Sequence, residues 1–83
     1  MTLLYFAWVR QKVGVGEEIY ALPDGVRTIG ELALHLAKRG SGYGDAFADL
    51  KRLRAARNQE HVGFDCVIVD GDEIAFFPPV TGG

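Results

Sequence analysis

The chain has 83 residues, of which 48% are hydrophobic and 24% charged, and a formal net charge of −2. This is too apolar for disorder, and the length fits one domain with a thin stability margin. The absence of a basic surplus argues against nucleic acid as a partner. No apolar run is long enough to span a bilayer, and no basic residue precedes the first apolar run, so neither a membrane span nor a signal peptide is expected. A single cysteine, Cys66, permits no internal disulfide and suits a reducing cytosol.

Thr2 to Arg10 reads as a strand, rich in aromatic and branched residues and almost continuously apolar from Leu3 to Val9. Strand parity places Leu3, Tyr5, Ala7 and Val9 on one face, and Leu4, Phe6 and Trp8 on the other. Gly14 and Gly16 mark a turn, and Glu17 to Leu22 is a second strand that ends at Pro23-Asp24-Gly25. The next segment carries the clearest helix signal. Thr28 and Glu31 form a T-x-x-E capping box, and Ile29, Leu32, Ala33, Leu36 and Ala37 recur at helical spacing. Lys38 and Arg39 suit the negative end of the dipole, and Gly40 stops the helix.

Ser41 to Gly44 reads as a loop and Asp45 to Leu50 as a short helical turn, with Phe47 and Leu50 reaching the core. A strand is expected near Leu53 to Arg57, a turn at Asn58-Gln59, mixed strand signals over Val62 to Val69, and a turn at Asp70-Gly71-Asp72. Glu73 to Phe77 is the last strand. The order β-β-α-β-β predicts an α+β fold with one main helix across one face of a sheet, and the sheet is mixed if the last strand lies beside the first.

The segment FFPPVTGG, Phe76 to Gly83, divides the chain into a folded part, 1–77, and an extended, flexible tail, 78–83. Pro78 and Pro79 cannot donate to a ladder, so pairing stops at Phe77, and tandem prolines favour a stiff path. Six residues reach roughly 20 Å when extended, far enough to enter a groove on another protein. Gly82 and Gly83 lack a Cβ and can pass a narrow channel. The reacting group is then the Gly83 carboxylate, a poor electrophile until it is activated, for instance as an acyl-adenylate. Attack by sulfur leaves a thiocarboxylate and attack by an amine an isopeptide, and the tail serves both equally.

Four stretches, LYFAWVR at 4–10, TIGELALHL at 28–36, NQEHV at 58–62 and DGDEIAFFPPVTGG at 70–83, occur in the order found in the small-subunit family of molybdopterin synthases, which the chain resembles over its whole length. The last stretch is the specific one. The resemblance implies a ubiquitin-like β-grasp fold and a sulfur carrier. An E1-like adenylating enzyme spends ATP on Gly83, a sulfur source makes the thiocarboxylate, and the tail enters a large catalytic subunit. Sulfur then passes to cyclic pyranopterin monophosphate, forming molybdopterin. It further implies a heterotetramer with a large-subunit dimer, no cofactor bound to this chain, and catalytic side chains on the large subunit. The family's partner surface maps onto Phe6, His61 and Phe77, with Pro78, Pro79, Val80 and Thr81 leading to Gly82 and Gly83. By parity Trp8 joins that surface. Carriers for thiamine or cysteine synthesis and ubiquitin-like modifiers are the rival readings. Family members often carry apolar residues where this chain has Arg57 and His61.

The other candidates have simpler readings. Cys66 is a small apolar filler rather than a persulfide carrier. His35 sits at the rim of the apolar stripe, and neither histidine has metal-ligand spacing, so no metal is expected. Asp70, Asp72 and Glu73 are explained by a turn before a strand. Lys51, Arg52, Arg54 and Arg57 read as a solvated face, with steering of an acidic partner as the alternative. No nucleophilic triad or phosphate-binding loop is present.

Overall fold

A computed structural model describes residues 1–79 of the chain. Five strands form one sheet in the order β2-β1-β5-β3-β4. They are β1 (Thr2–Tyr5), β2 (Glu17–Ile19), β3 (Arg54–Arg57), β4 (Glu60–Val62) and β5 (Glu73–Phe77). β1 and β5 are parallel, and the other three pairings are antiparallel. The sheet is therefore mixed, with the last strand beside the first. This is the ubiquitin-like β-grasp arrangement expected from the sequence.

Among the described residues there are three α-helices, α1 (Ala7–Val13), α2 (Ile29–Ala37) and α3 (Ser41–Ala46), with a 3-10 turn over Leu50–Arg52. α2 is the helix its spacing predicts. Thr28 accepts a hydrogen bond from the Glu31 amide at 3.2 Å, and the Glu31 carboxylate accepts from the Thr28 amide at 3.1 Å, closing the capping box. Its buried stripe, Ile29, Leu32, Ala33 and Leu36, packs into one core with Leu3, Tyr5, Ile74 and Phe76. Aromatic contacts tie that core together: Phe47 meets Phe76 edge-on at 4.9 Å and Tyr5 edge-on at 6.3 Å.

The expected first strand is corrected. Pairing ends at Tyr5, and Ala7 takes a left-handed φ of 53° that turns the chain out of the sheet into α1. The apolar run from Leu3 to Val9 thus serves two elements. Leu3 and Tyr5 face the core from a strand, while Val9, and in part Trp8 and Val13, face it from a helix. Gly14 closes α1 at φ 97° and donates to the Arg10 carbonyl at 2.8 Å. The signals of this helix are present in the sequence: Val9 and Val13 four apart, Arg10 and Lys12 in the last turn, then glycine.

Ser41 to Gly44, expected as a loop, is helical in α3. α3 lies against α1 so closely that a Cβ on Gly42 would stand 1.7 Å from the Lys12 carbonyl oxygen. Glycine there allows the approach, at the expense of the local helix signal. β2 is shorter than expected, and Val62 to Val69 adds only the end of β4 and a bridge between Thr28 and Val67. The turn at Asn58-Gln59 is present, with φ of 51° and 72°, the two positive values a type I′ hairpin turn requires.

Two polar knots tie neighbouring elements together. The Glu18 Oε1 accepts from Arg39 at 2.6 Å, from the Tyr5 hydroxyl at 2.7 Å and from the Tyr43 hydroxyl at 3.0 Å, joining β2 to the helices. Arg39 also lies over the Tyr43 and Tyr20 rings, at 4.1 and 4.6 Å. Burial alone would push the Glu18 carboxyl up. The hydrogen bonds from Arg39, Tyr5 and Tyr43 outweigh it, and the net shift is down. Burial, then the bond to Glu18, pushes the Tyr5 hydroxyl well above its usual range. Between the start of β5 and the end of β3, buried Asp72 accepts from Arg57 Nε at 2.7 Å, the Val69 amide at 2.9 Å and the Asn58 side chain at 3.1 Å. The bond from Arg57 is the main cause that holds its carboxyl below the usual range. Arg57 therefore pairs within the chain, and Asp72 has a larger task than a turn residue. The expected turn before β5 is present, with the Asp72 amide donating to the Val69 carbonyl at 3.2 Å, and these side-chain bonds add to it.

Candidate functional site

The helices cover one face of the sheet, and the other face holds a groove of about 360 Å³. Register builds its floor. Leu4 pairs with Ala75, Ala75 with Ala56, and Ala56 with His61, so one row of side chains crosses four strands on the same face. The two residues in the middle of this row are alanines, and the depression lies over them. Phe6 and Phe77 rise at one end, His61 stands at the side on β4, and Glu73 and Gln59 close the other end. The His61 ring lies 5.0 Å from the Phe77 ring. Phe6 is 49% exposed, a large apolar side chain left without cover by the described residues.

Three of the expected site residues, Phe6, His61 and Phe77, thus meet in one groove, although they are far apart in sequence. Phe77 faces it because Ile74 and Phe76 are buried under the helices and Ala75 and Phe77 alternate with them. Trp8 does not join this face as strand parity predicted. It belongs to α1, is half-buried against the core, and lies under Arg52, whose guanidinium carbon is 5.1 Å from its ring centroid. The sequence reading missed Leu4, Ala56 and Ala75 as groove residues. The small floor could have been found from Ala56 and Ala75 on neighbouring strands, but only once the strand order was known.

Pro78 and Pro79 are half-buried and outside regular structure, directly after Phe77 at the groove's end. Val80, Thr81, Gly82 and Gly83 lie outside the described residues. Cys66 is half-buried and packs against the core. His35 bonds the Tyr20 hydroxyl at 2.7 Å. Among the described residues no group of three metal-ligating side chains comes together, and no helix is long and apolar enough to cross a membrane.

Residues 3–83 match the ThiS family, so the match takes in the groove residues and runs through Gly83. The chain belongs to the ThiS family. Among curated proteins it is 44% identical to the molybdopterin synthase sulfur carrier subunit of Escherichia coli K12, over 98% of this chain and 96% of that one. It is 37% identical to the protein of the same name from Haemophilus influenzae, over 100% of this chain and 99% of the other. Among solved structures, the putative molybdopterin converting factor subunit 1 of Pyrococcus furiosus superposes with a TM-score of 0.68 at 28% identity, over 95% of each chain. Small archaeal modifier protein 1 of Haloferax volcanii superposes with a TM-score of 0.66 at 25% identity, over 96% of this chain and 97% of that one.

Proposed function

We propose that this chain is the sulfur-carrier small subunit of a molybdopterin synthase. The observation that carries this reading is agreement with curated sulfur carriers over nearly the full length, by a family match that extends to Gly83. The groove supports it from the physical side. It is apolar, unoccupied by the chain's own helices, and lies where the tail leaves the sheet. An exposed apolar surface of this kind suits a protein partner.

In this reading an E1-like adenylating enzyme spends ATP to convert the Gly83 carboxylate to an acyl-adenylate, releasing pyrophosphate. Sulfide delivered by the sulfur donor displaces AMP and leaves a thiocarboxylate. The large subunit of the synthase seats in the groove of Phe6, His61 and Phe77 and takes up the tail from Pro78 to Gly83. Sulfur then passes to cyclic pyranopterin monophosphate, and two charged carriers supply the two sulfurs of the dithiolene. The chain binds no cofactor of its own and works in the cytoplasm, in a heterotetramer with a large-subunit dimer. Its part is to present the reactive end and to dock; the side chains that act on the pterin belong to the large subunit.

The test is an intact mass after incubation with ATP, the activating enzyme and a sulfur donor. The expected product carries sulfur in place of one oxygen, mapped to Gly83. An unchanged mass, with the enzyme active on a known carrier, sinks the reading. A second reading, a protein modifier, draws on the superposition with the archaeal modifier. It predicts isopeptides between Gly83 and lysines of other proteins.

A further inference from the structure

Lys51, Arg52 and Arg54 are exposed and lie within four residues, where the 3-10 turn runs into β3. Arg54 is the register partner of Phe77, so this segment borders the root of the tail. Both arginines are held by neutral groups. Arg52 lies over the Trp8 ring at 5.1 Å. Arg54 Nη1 donates to the Leu53 carbonyl at 2.8 Å and to the Lys51 carbonyl at 3.4 Å. Arg39 and Arg57, by contrast, are each paired with a carboxylate, while Arg10 and Arg27, like Arg52 and Arg54, are not paired with one among the described residues; what sets Arg52 and Arg54 apart is their place beside the root of the tail. A guanidinium held by a ring or a carbonyl keeps its full charge, and it loses less rotamer freedom when a carboxylate arrives. The far end of the groove has the opposite sign, since Glu73 lines it.

We propose that Arg52 and Arg54 are the electrostatic part of the docking surface. They receive carboxylates of the protein whose apolar ridge seats in the groove. Because the cationic end lies at the tail and the anionic end at Glu73, they also set which way round the partner sits. Trp8 contributes by holding Arg52 rather than by facing the groove. This inference rests on the sulfur-carrier reading, in which the partner is the large subunit. Protein carboxylates fit better than nucleotide phosphate because the arginines flank the tail's root. The chemistry of that reading takes place at Gly83, six residues further along the chain than Phe77.

The test measures association of the full chain with the synthase large subunit by stopped flow, from about 0.05 to about 0.5 M NaCl. Replacing both arginines, R52Q/R54Q, is expected to lower the association rate about tenfold at low salt, with the gap closing as salt rises. R52K/R54K keeps the charge and is expected to retain most of the rate. Lys38→Gln, at the end of α2, is the control and should leave both rate and salt slope unchanged.

A wild-type rate and salt slope in R52Q/R54Q overturns the proposal. So does an R52K/R54K variant that loses as much as the glutamine pair, since shape and not charge would then be at work. Normal binding of R52Q/R54Q to the large subunit, with slowed adenylation at Gly83, assigns the arginines to the activating enzyme and also overturns it. Failure of the unmodified chain to bind the large subunit at all strikes the sulfur-carrier reading itself, and so is distinguishable from the other outcomes.

Discussion

On β5, Ile74 and Phe76 point under the helices and are fully buried, while Ala75 and Phe77 point into the groove on the opposite side. On β1, Leu3 and Tyr5 are buried, and Leu4 with the following Phe6 lines the groove. The covered face is filled with large side chains in mutual contact. The open face has a floor of alanines and a rim of aromatics. Since the two sets alternate along the same strands, the chain separates stability from recognition by side-chain parity alone. A substitution one residue along should move an effect from one property to the other.

Phe76→Ala is the strongest way to break that separation on the covered side. It empties a site between Tyr5 and Phe47 and should cost about 3–5 kcal/mol in urea unfolding. Its neighbour, Phe77→Ala, should leave the urea midpoint nearly unchanged. It should weaken large-subunit affinity by about thirtyfold or more in calorimetry. Equal loss of stability in the two variants would show that the groove face is structural.

Asp72→Ala removes an acceptor shared by Arg57, Asn58 and the Val69 amide, and should cost about 1–3 kcal/mol. Thr28→Ala opens the capping box of α2 and should cost about 1 kcal/mol by thermal or urea unfolding. Neither should alter groove affinity in the folded fraction. The smallest effect is in acid. Glu18 and Asp72 both have carboxyls held below the usual range, so each binds protons more weakly when folded than when unfolded. Their contribution is present above the ordinary carboxylate range, near pH 4, and is lost as pH falls through the depressed folded values. Glu18→Gln should flatten the acid limb of stability against pH while leaving docking at neutral pH unchanged.

Legibility followed the range of the interactions. The capping box at Thr28 and Glu31, the helical spacing of α2, the turn at Asn58-Gln59 and the alternation of β5 are settled by neighbours within a few residues, and each could be read. α1 was misread because an apolar run satisfies a strand and a helix alike. What separates them is the left-handed turn at Ala7 and the core that α1 and α3 share. α3 was missed because two of its six residues, Gly42 and Gly44, are poor helix formers, retained where Gly42 lets α3 close on α1.

The sequence by itself determined the composition of the two faces, the start of α2, and the Pro-Pro-Val-Thr-Gly-Gly end on which the sulfur-carrier reading rests. Tertiary structure alone decided how Phe6, His61 and Phe77 meet around one floor of Ala56 and Ala75, that Trp8 leaves the sheet, and that Arg57 is bound to Asp72 while Arg52 and Arg54 are not paired with any described carboxylate. The physical reason is the strand order. Placing β5 between β1 and β3 brings together residues about 15 to 70 positions apart, and local propensity carries no information about pairing at that distance.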